Sequence, residues 1–144
     1  MRRSGKLISL EIAAAALLLA GCGSVTETGT KEAYDRVIAL SESNASAWLL
    51  AGGKLLATSD DAMDTEGLNE DAVSVGDMDH VSLEEIVSLN PDLLILFSTD
   101  PAQKALGEAA EQTGIEVYYT NIDKFSDYVT VMTDFTTIVS THLN

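Results

Sequence analysis

The hexapeptide Asp92-Leu93-Leu94-Ile95-Leu96-Phe97 constrains the fold of this chain more than any other stretch. A strand with one wet face alternates apolar and polar residues. A short apolar run without alternation suits a strand covered on both faces, as in a parallel sheet with helices above and below. Its flanks agree. Upstream, Ser82 and Glu85 have capping-box spacing, Leu83, Ile86, Val87 and Leu89 give one apolar face, and Asn90-Pro91 ends the helix. Downstream, Asp100 can cap a helix with Pro101 at its first position, closed by Gly114.

The rest of the chain repeats the alternation. Residues 36–40 (RVIAL) read as a strand, 41–44 (SESN) as a polar turn, and 45–51 (ASAWLLA) as a short helix stopped by Gly52 and Gly53. Trp48 in that helix is expected in the core or at its rim. Residues 55–58 form a second strand. Residues 59–71 hold Asp60, Asp61, Asp64, Glu66, Glu70 and Asp71 and read as a surface loop. Residues 73–75 and 115–119 are further strands. Valine and threonine in 126–140 favour a strand, but Tyr128, Val131, Met132, Phe135, Ile138 and Val139 share one helical face, and the length favours helix. The expected class is α/β: a Rossmann-like parallel sheet with right-handed crossovers and helices on both faces.

The N-terminus has a different logic. Arg2, Arg3 and Lys6 precede an apolar run of about 14 residues, interrupted by Glu11, that ends in Leu19-Ala20-Gly21-Cys22. It is short for a membrane span, which needs roughly 20 residues. Leu-Ala-Gly-Cys resembles the lipobox of bacterial lipoproteins. That resemblance implies cleavage before Cys22 and acyl chains on it, each buried methylene adding about 0.8 kcal/mol to anchoring. The alternative is a buried cysteine following an apolar helix. The expected organisation is a signal peptide at 1–21, a flexible lipid-attached linker at 22–35 and one domain at 36–144, held on the extracytoplasmic face of the cell membrane.

Charge and cysteine count narrow the function. The net charge is −15, and removing Arg2, Arg3, Lys6 and Glu11 takes away a net +2, leaving −17. Nucleic acid needs a positive footprint, so it is not an expected partner, and neither are anionic lipid head groups. A single cysteine permits neither a disulfide framework nor a cysteine metal cluster. His80 and His142 are the only histidines, and the acidic loop lacks the order of a calcium loop, so no metal or cofactor is expected. G-x-S-x-G, Walker A and G-x-G-x-x-G motifs are missing, which speaks against an enzyme. Spacing alone leaves open a Ser/His/Asp arrangement around His80 on a hydrolase-like α/β scaffold.

Four pieces in fixed order carry a family resemblance: RVIALSESN (36–44), AWLLAGGKLLATSDDA (47–62), VGDMDHVSLEEIVSLNPDLLIL (75–96) and GIEVYY (114–119). Together they resemble the N-terminal lobe of ABC-transporter substrate-binding proteins of the iron–siderophore, cobalamin and haem type. The resemblance covers residues 36–144. It implies a non-enzymatic importer subunit holding a metal chelate, corrinoid or haem between two α/β lobes joined by a helix. The chain would then stop within the interlobe helix, and a truncated surface or interaction lipoprotein is the other reading. Members often carry a glutamate at the start of the first helix for permease docking. Ser46 stands at that position here, with Glu42 one turn away.

In an open parallel sheet, ligands bind beyond the carboxyl ends of the strands. That rule selects residues 41–44, 59–61, 77–80, 98–100 and 120–123, the loops the resemblance also implies. Within them Ser43, Asn44, Ser98, Thr99 and Asn121 are candidate hydrogen-bonding groups for a ligand, with capping and turn formation as their other use. Asp60, Asp61 and Asp79 are candidates to meet a cationic ligand or metal complex.

Overall fold

The computed structural model describes residues 34–141; Cys22, the leader, linker residues 22–33 and His142 lie outside the described residues. The strands are β1 (Val37–Ala39), β2 (Ala57–Thr58), β3 (Val73–Ser74), β4 (Leu93–Phe97) and β5 (Glu116–Thr120). The helices are α1 (Glu42–Leu50), α2 (Leu83–Ser88), α3 (Pro101–Gln112) and α4 (Phe125–Ser140). All strand pairs are parallel, in the order β3-β2-β1-β4-β5. Successive strands step outward from β1 to β3, and the chain then crosses back to β4. The topological switch therefore falls between β1 and β4.

The unbroken apolar run of β4 has a direct reason. In register, Ile38 pairs with Leu94 and Leu94 with Val117, so β4 has a strand on each side. Val37, Ala39, Leu93 and Ile95 enter one core with Trp48 of α1 and with Val131 and Phe135 of α4. Ile38, Leu40, Leu94 and Leu96 enter the other, with Ile86 of α2 and Ala110 of α3. Period two still operates, but both faces are covered. Each fully buried leucine or isoleucine contributes about 1.5–3 kcal/mol relative to exposure.

Trp48 belongs to the core, only 2% exposed. Its Nε1 donates to the Lys54 carbonyl at 2.9 Å. A Cβ on Gly53 would lie 2.2 Å from that nitrogen, so the second glycine after α1 makes room for the indole. At the amino edge of the sheet the Asp92 carboxylate accepts from the backbone N–H groups of Asp35 and Arg36, both at 3.0 Å. Arg36 donates in turn to the carbonyls of Asn90 (2.9 Å) and Leu89 (2.6 Å).

Two sequence expectations need correction. Residues 42–44, expected in a turn, form the first turn of α1: Ser41 is its N-cap, and its Oγ accepts from the Asn44 N–H at 3.3 Å. A cap followed by polar residues looks like a turn when the tertiary partners are unknown. The acidic stretch 59–71 is also more than a surface loop. It contains a 3₁₀ turn (Asp60–Ala62) with Ala62 fully buried, and Leu68 packs on the core. The Asn69 amide bonds both backbone groups of Leu55, its Oδ1 accepting at 2.9 Å and its Nδ2 donating at 2.8 Å. The helix favoured for 126–140 is present as α4, begun one residue earlier at Phe125.

Candidate functional site

The loops at the carboxyl ends of the strands are tied to one another by short polar contacts. The Ser41 N–H donates to Ser59 Oγ at 2.8 Å, and the Glu42 N–H to the Asp61 carboxylate at 3.0 Å. The Asp60 N–H donates to the Gly76 carbonyl at 2.9 Å, and Ser74 Oγ donates to the Asp60 carboxylate. On the other side of the switch, the Ser98 N–H and Oγ both donate to the Thr120 carbonyl, at 2.9 and 3.2 Å. Ser41 holds φ at 85°, a left-handed value that costs a residue with a Cβ. The unusual backbone lies at the first turn beyond β1, beside the switch.

Beside that switch opens a cleft of about 350 Å³, lined by Ser43, Ser46, Ala47, Phe97, Ile122 and Tyr128. Each lining group has a structural reason to be there. Phe97 is the last residue of β4, half out of the sheet. Ser43, Ser46 and Ala47 follow one another at helical spacing on α1. Ile122 lies just beyond β5, and Tyr128 is in the first turn of α4. The wall is thus two rings and an aliphatic side chain facing two hydroxyls, a mixture that suits a ligand with apolar body and hydrogen-bonding groups.

Three helix N-termini converge on this edge, and each already holds a carboxylate of the chain itself. Asp61 takes the first N–H of α1. Asp100 caps α3, accepting from the Gln103 N–H at 2.8 Å. Asp127 folds back over the start of α4, accepting from the N–H groups of Asp123 and Lys124, both at 3.2 Å.

The sequence candidates fare differently. Ser43 reaches the cleft. Asn44 does not: it is fully buried, its Nδ2 donating to the Leu40 carbonyl at 3.0 Å and its Oδ1 accepting from Thr120 Oγ1 at 2.8 Å. It ties α1 to β1 and β5 and supports the wall from behind. Ser98 is half-buried and closes its loop onto β5, while Thr99 beside it is exposed. Asn121 lines a neighbouring groove of about 460 Å³ with Tyr119, Asp123 and Lys124. Asp60 and Asp61 are exposed but engaged by Ser74 and Glu42. Asp79 is exposed in the turn after β3, its N–H donating to the Asp77 carboxylate at 2.9 Å. That N–H and the nearby His80 ring hold the Asp77 carboxyl below its ordinary value. Among the described residues, no three His, Cys, Asp or Glu side chains are placed to hold a metal ion.

Ser46, Ala47, Phe97, Ile122 and Tyr128 were not singled out as site residues from the sequence. Phe97 and Ile122 were legible in principle, since Phe97 ends β4, which flanks the switch, and Ile122 follows the neighbouring β5.

Solved structures share this arrangement of sheet and helices. A possible iron-binding periplasmic solute-binding protein from Staphylococcus epidermidis superposes with a TM-score of 0.66 at 15% identity, over 76% of this chain and 44% of its own. The periplasmic vitamin B12 binding protein BtuF of Vibrio cholerae gives 0.62 at 19%, over 73% and 41%. The fold is that of one lobe of a periplasmic binding protein. The periplasmic haem binding protein HutB of Vibrio cholerae matches it as well, with a TM-score of 0.61 at 20% identity, over 75% and 42%. At these identities the likeness is one of fold, and the chain spans less than half the length of the proteins it matches. No family model matches the sequence, and no curated protein does. In this lobe the position expected for a docking glutamate, Ser46, faces the cleft, while Glu42 is exposed one turn earlier.

Proposed function

We propose that this chain is the extracytoplasmic, ligand-binding component of an importer, without chemistry of its own. The observation that carries this reading is the cleft at the β1/β4 switch in a periplasmic-binding-protein lobe. Ser43, Ser46, Phe97, Ile122 and Tyr128 form one wall for a compact metal chelate or corrinoid. Cys22 anchors the chain through lipid after removal of residues 1–21, and the linker expected at 22–35 gives way to the lobe by Tyr34, which packs on the core, and Asp35, which is bonded to Asp92. Docking to a permease, if it uses a carboxylate on α1, falls to Glu42.

Residues 34–141 present one wall, and enclosure from a second side supplies much of a solute receptor's affinity. Halving a binding free energy of about −8 kcal/mol moves a dissociation constant from micromolar to near millimolar. Equilibrium titration of the full chain with ferric desferrioxamine, cyanocobalamin and haem tests the reading. Saturable weak binding of one of them, lost in Tyr128→Ala, is expected. No binding to any of the three, or binding indifferent to Tyr128, would sink it. Membrane fractionation of Cys22→Ser tests the anchor: the variant should leave the membrane fraction.

A further inference from the structure

We propose that the cleft takes neutral or positively charged ligands and excludes anionic ones, because the chain's own carboxylates already occupy the anion-binding positions around it. A helix N-terminus attracts anions through its free N–H groups and its dipole. Three such ends, of α1, α3 and α4, surround this edge of the sheet, and by themselves they would make it an anion trap. Asp61 accepts from the Glu42 N–H of α1 at 3.0 Å and Asp100 from the Gln103 N–H of α3 at 2.8 Å, while Asp127 sits in the first turn of α4 and accepts from the Lys124 N–H just ahead of it at 3.2 Å. The positive ends are neutralised from within.

Among the described residues, no lysine or arginine lines the cleft. The described residues contain four lysines and arginines. Arg36 lies at the amino edge of the sheet, bonded to the Leu89 and Asn90 carbonyls, and Lys54 precedes β2 at the same edge. Lys104 sits on α3 beside Glu108 at 3.9 Å. Lys124 is in the neighbouring groove with Asp123 and Asp127. The cleft lining itself is uncharged; Glu42 adjoins Ser43 in sequence, and Asp123 and Asp127 outnumber Lys124 in the groove next to it. An uncharged, aromatic-walled pocket on a chain of net charge −15, with carboxylates in excess of cations beside it, raises the local concentration of cations and lowers that of anions. The ligand's identity as a chelate or corrinoid rests on the solute-binding reading. Within it, the charge argument favours a cationic iron chelate or a neutral corrinoid over haem, whose two carboxylates would meet no cation.

A thiol probe tests the field without any ligand. In the full-length chain carrying Cys22→Ser, held in non-ionic detergent, Ser46→Cys places one cysteine in the cleft. Its rates with a trimethylammonium and a sulfonate methanethiosulfonate are compared with the same pair on free cysteine. The cation-to-anion rate ratio should exceed that of free cysteine by about tenfold at low ionic strength, and it should fall towards the free value in ~1 M salt. Adding Glu42→Gln and Asp123→Asn should lower it, while Leu50→Cys, exposed at the far end of α1 near Lys54, should give a smaller ratio. A ratio equal to that of free cysteine, or inverted, overturns the inference. If the ratio holds but neither ferric desferrioxamine nor cyanocobalamin binds, the solute-binding reading fails and the charge selection stands. If haem binds as tightly as the cationic chelate, charge selection fails and solute binding stands.

Discussion

The two helical layers of this lobe are packed by different means. On one side, α1 and α4 meet over a cluster of rings: Phe135 is fully buried, 5.2 Å from Trp48 and 5.1 Å from Tyr118, edge-on to both. On the other side, α2 and α3 lie on the sheet through aliphatic and small residues, and α3 comes close enough that Gly107 touches Leu96 and Tyr119. On the ring side a recess remains at the carboxyl edge, lined by Ala47 of α1 and Tyr128 of α4. On the other side Gly107 lets α3 approach Leu96 of β4 and Tyr119 of β5. The cleft accordingly opens on the α1/α4 side.

If that contrast is right, truncating the ring cluster should have the largest effect on stability. Phe135→Ala removes a buried ring and its edge contacts and should cost about 3–5 kcal/mol, read by denaturant unfolding. A loss below about 1 kcal/mol would mean that the α1/α4 layer does not depend on its rings.

The buried polar tie behind the cleft ranks next. Thr120→Val leaves Asn44 Oδ1 without its donor in a fully buried site and should cost about 1–3 kcal/mol. Because Asn44 also holds the Leu40 carbonyl, the same variant should weaken binding in the cleft by displacing α1.

The opposite layer should fail by crowding. A Cβ at Gly107 would lie 2.4 Å from the Tyr119 hydroxyl and 2.9 Å from Leu96 Cδ1, so Gly107→Ala should cost about 1–3 kcal/mol. The Tyr119 hydroxyl is buried without a hydrogen-bond partner among the described residues. Tyr119→Phe should therefore be neutral or stabilising alone and should recover part of the Gly107→Ala loss, since the ring carbon Cε1 and Leu96 Cδ1 still lie 2.9 Å from the added Cβ. Independent, additive effects in that double-mutant cycle would show that the close approach is not what shapes this layer.

How far the sequence already contained this contrast depends on the element. β4 was legible because five apolar residues without alternation permit few surroundings, and α3 because Asp100 and Pro101 mark its start. The two cores were legible as faces, by period. The cleft was not, because its lining comes from four elements and only the packing brings Ser46, Phe97 and Tyr128 together. Asn44 shows the limit best. Its neighbour Ser43 faces the cleft while Asn44 turns inward, and the two could be told apart only once α1 was known to begin at Glu42.

Alkaline pH should act on the ring layer. Burial, and then the Asp134 carboxylate at 2.6 Å, hold the Tyr118 hydroxyl protonated well above its ordinary value of 10.0. The folded state therefore binds more protons than the unfolded state once pH exceeds the unfolded value. This contribution to stability is full below about pH 10 and is lost as pH rises past it. Tyr34 and Tyr119 are raised in the same sense, Tyr34 by burial and then Glu116, and Tyr119 chiefly by burial. Tyr118→Phe should make the decline in unfolding free energy above pH 10 shallower without abolishing it. An unchanged slope would remove Tyr118 from the account.

The smallest expected effect sharpens the comparison within α1 itself. Ser43 is exposed on the cleft wall and Asn44, one residue on, is fully buried with both ends of its amide engaged. Ser43→Ala removes an exposed hydroxyl from a helix and replaces it with a better helix former, so stability should change by no more than about 0.5 kcal/mol. Asn44→Ala strands the Leu40 carbonyl inside the protein and leaves the Thr120 hydroxyl only the Leu96 carbonyl at 3.2 Å, and should cost about 1–3 kcal/mol. Binding should report the reverse order of directness: Ser43→Ala weakens ligand retention in a protein of unchanged stability, whereas Asn44→Ala weakens it only in proportion to the loss of folded structure. Measuring both quantities on both variants separates the wall from its support. A Ser43→Ala variant that unfolds as readily as Asn44→Ala would mean that the wall of this cleft is part of the scaffold, with no side chain free to meet a ligand.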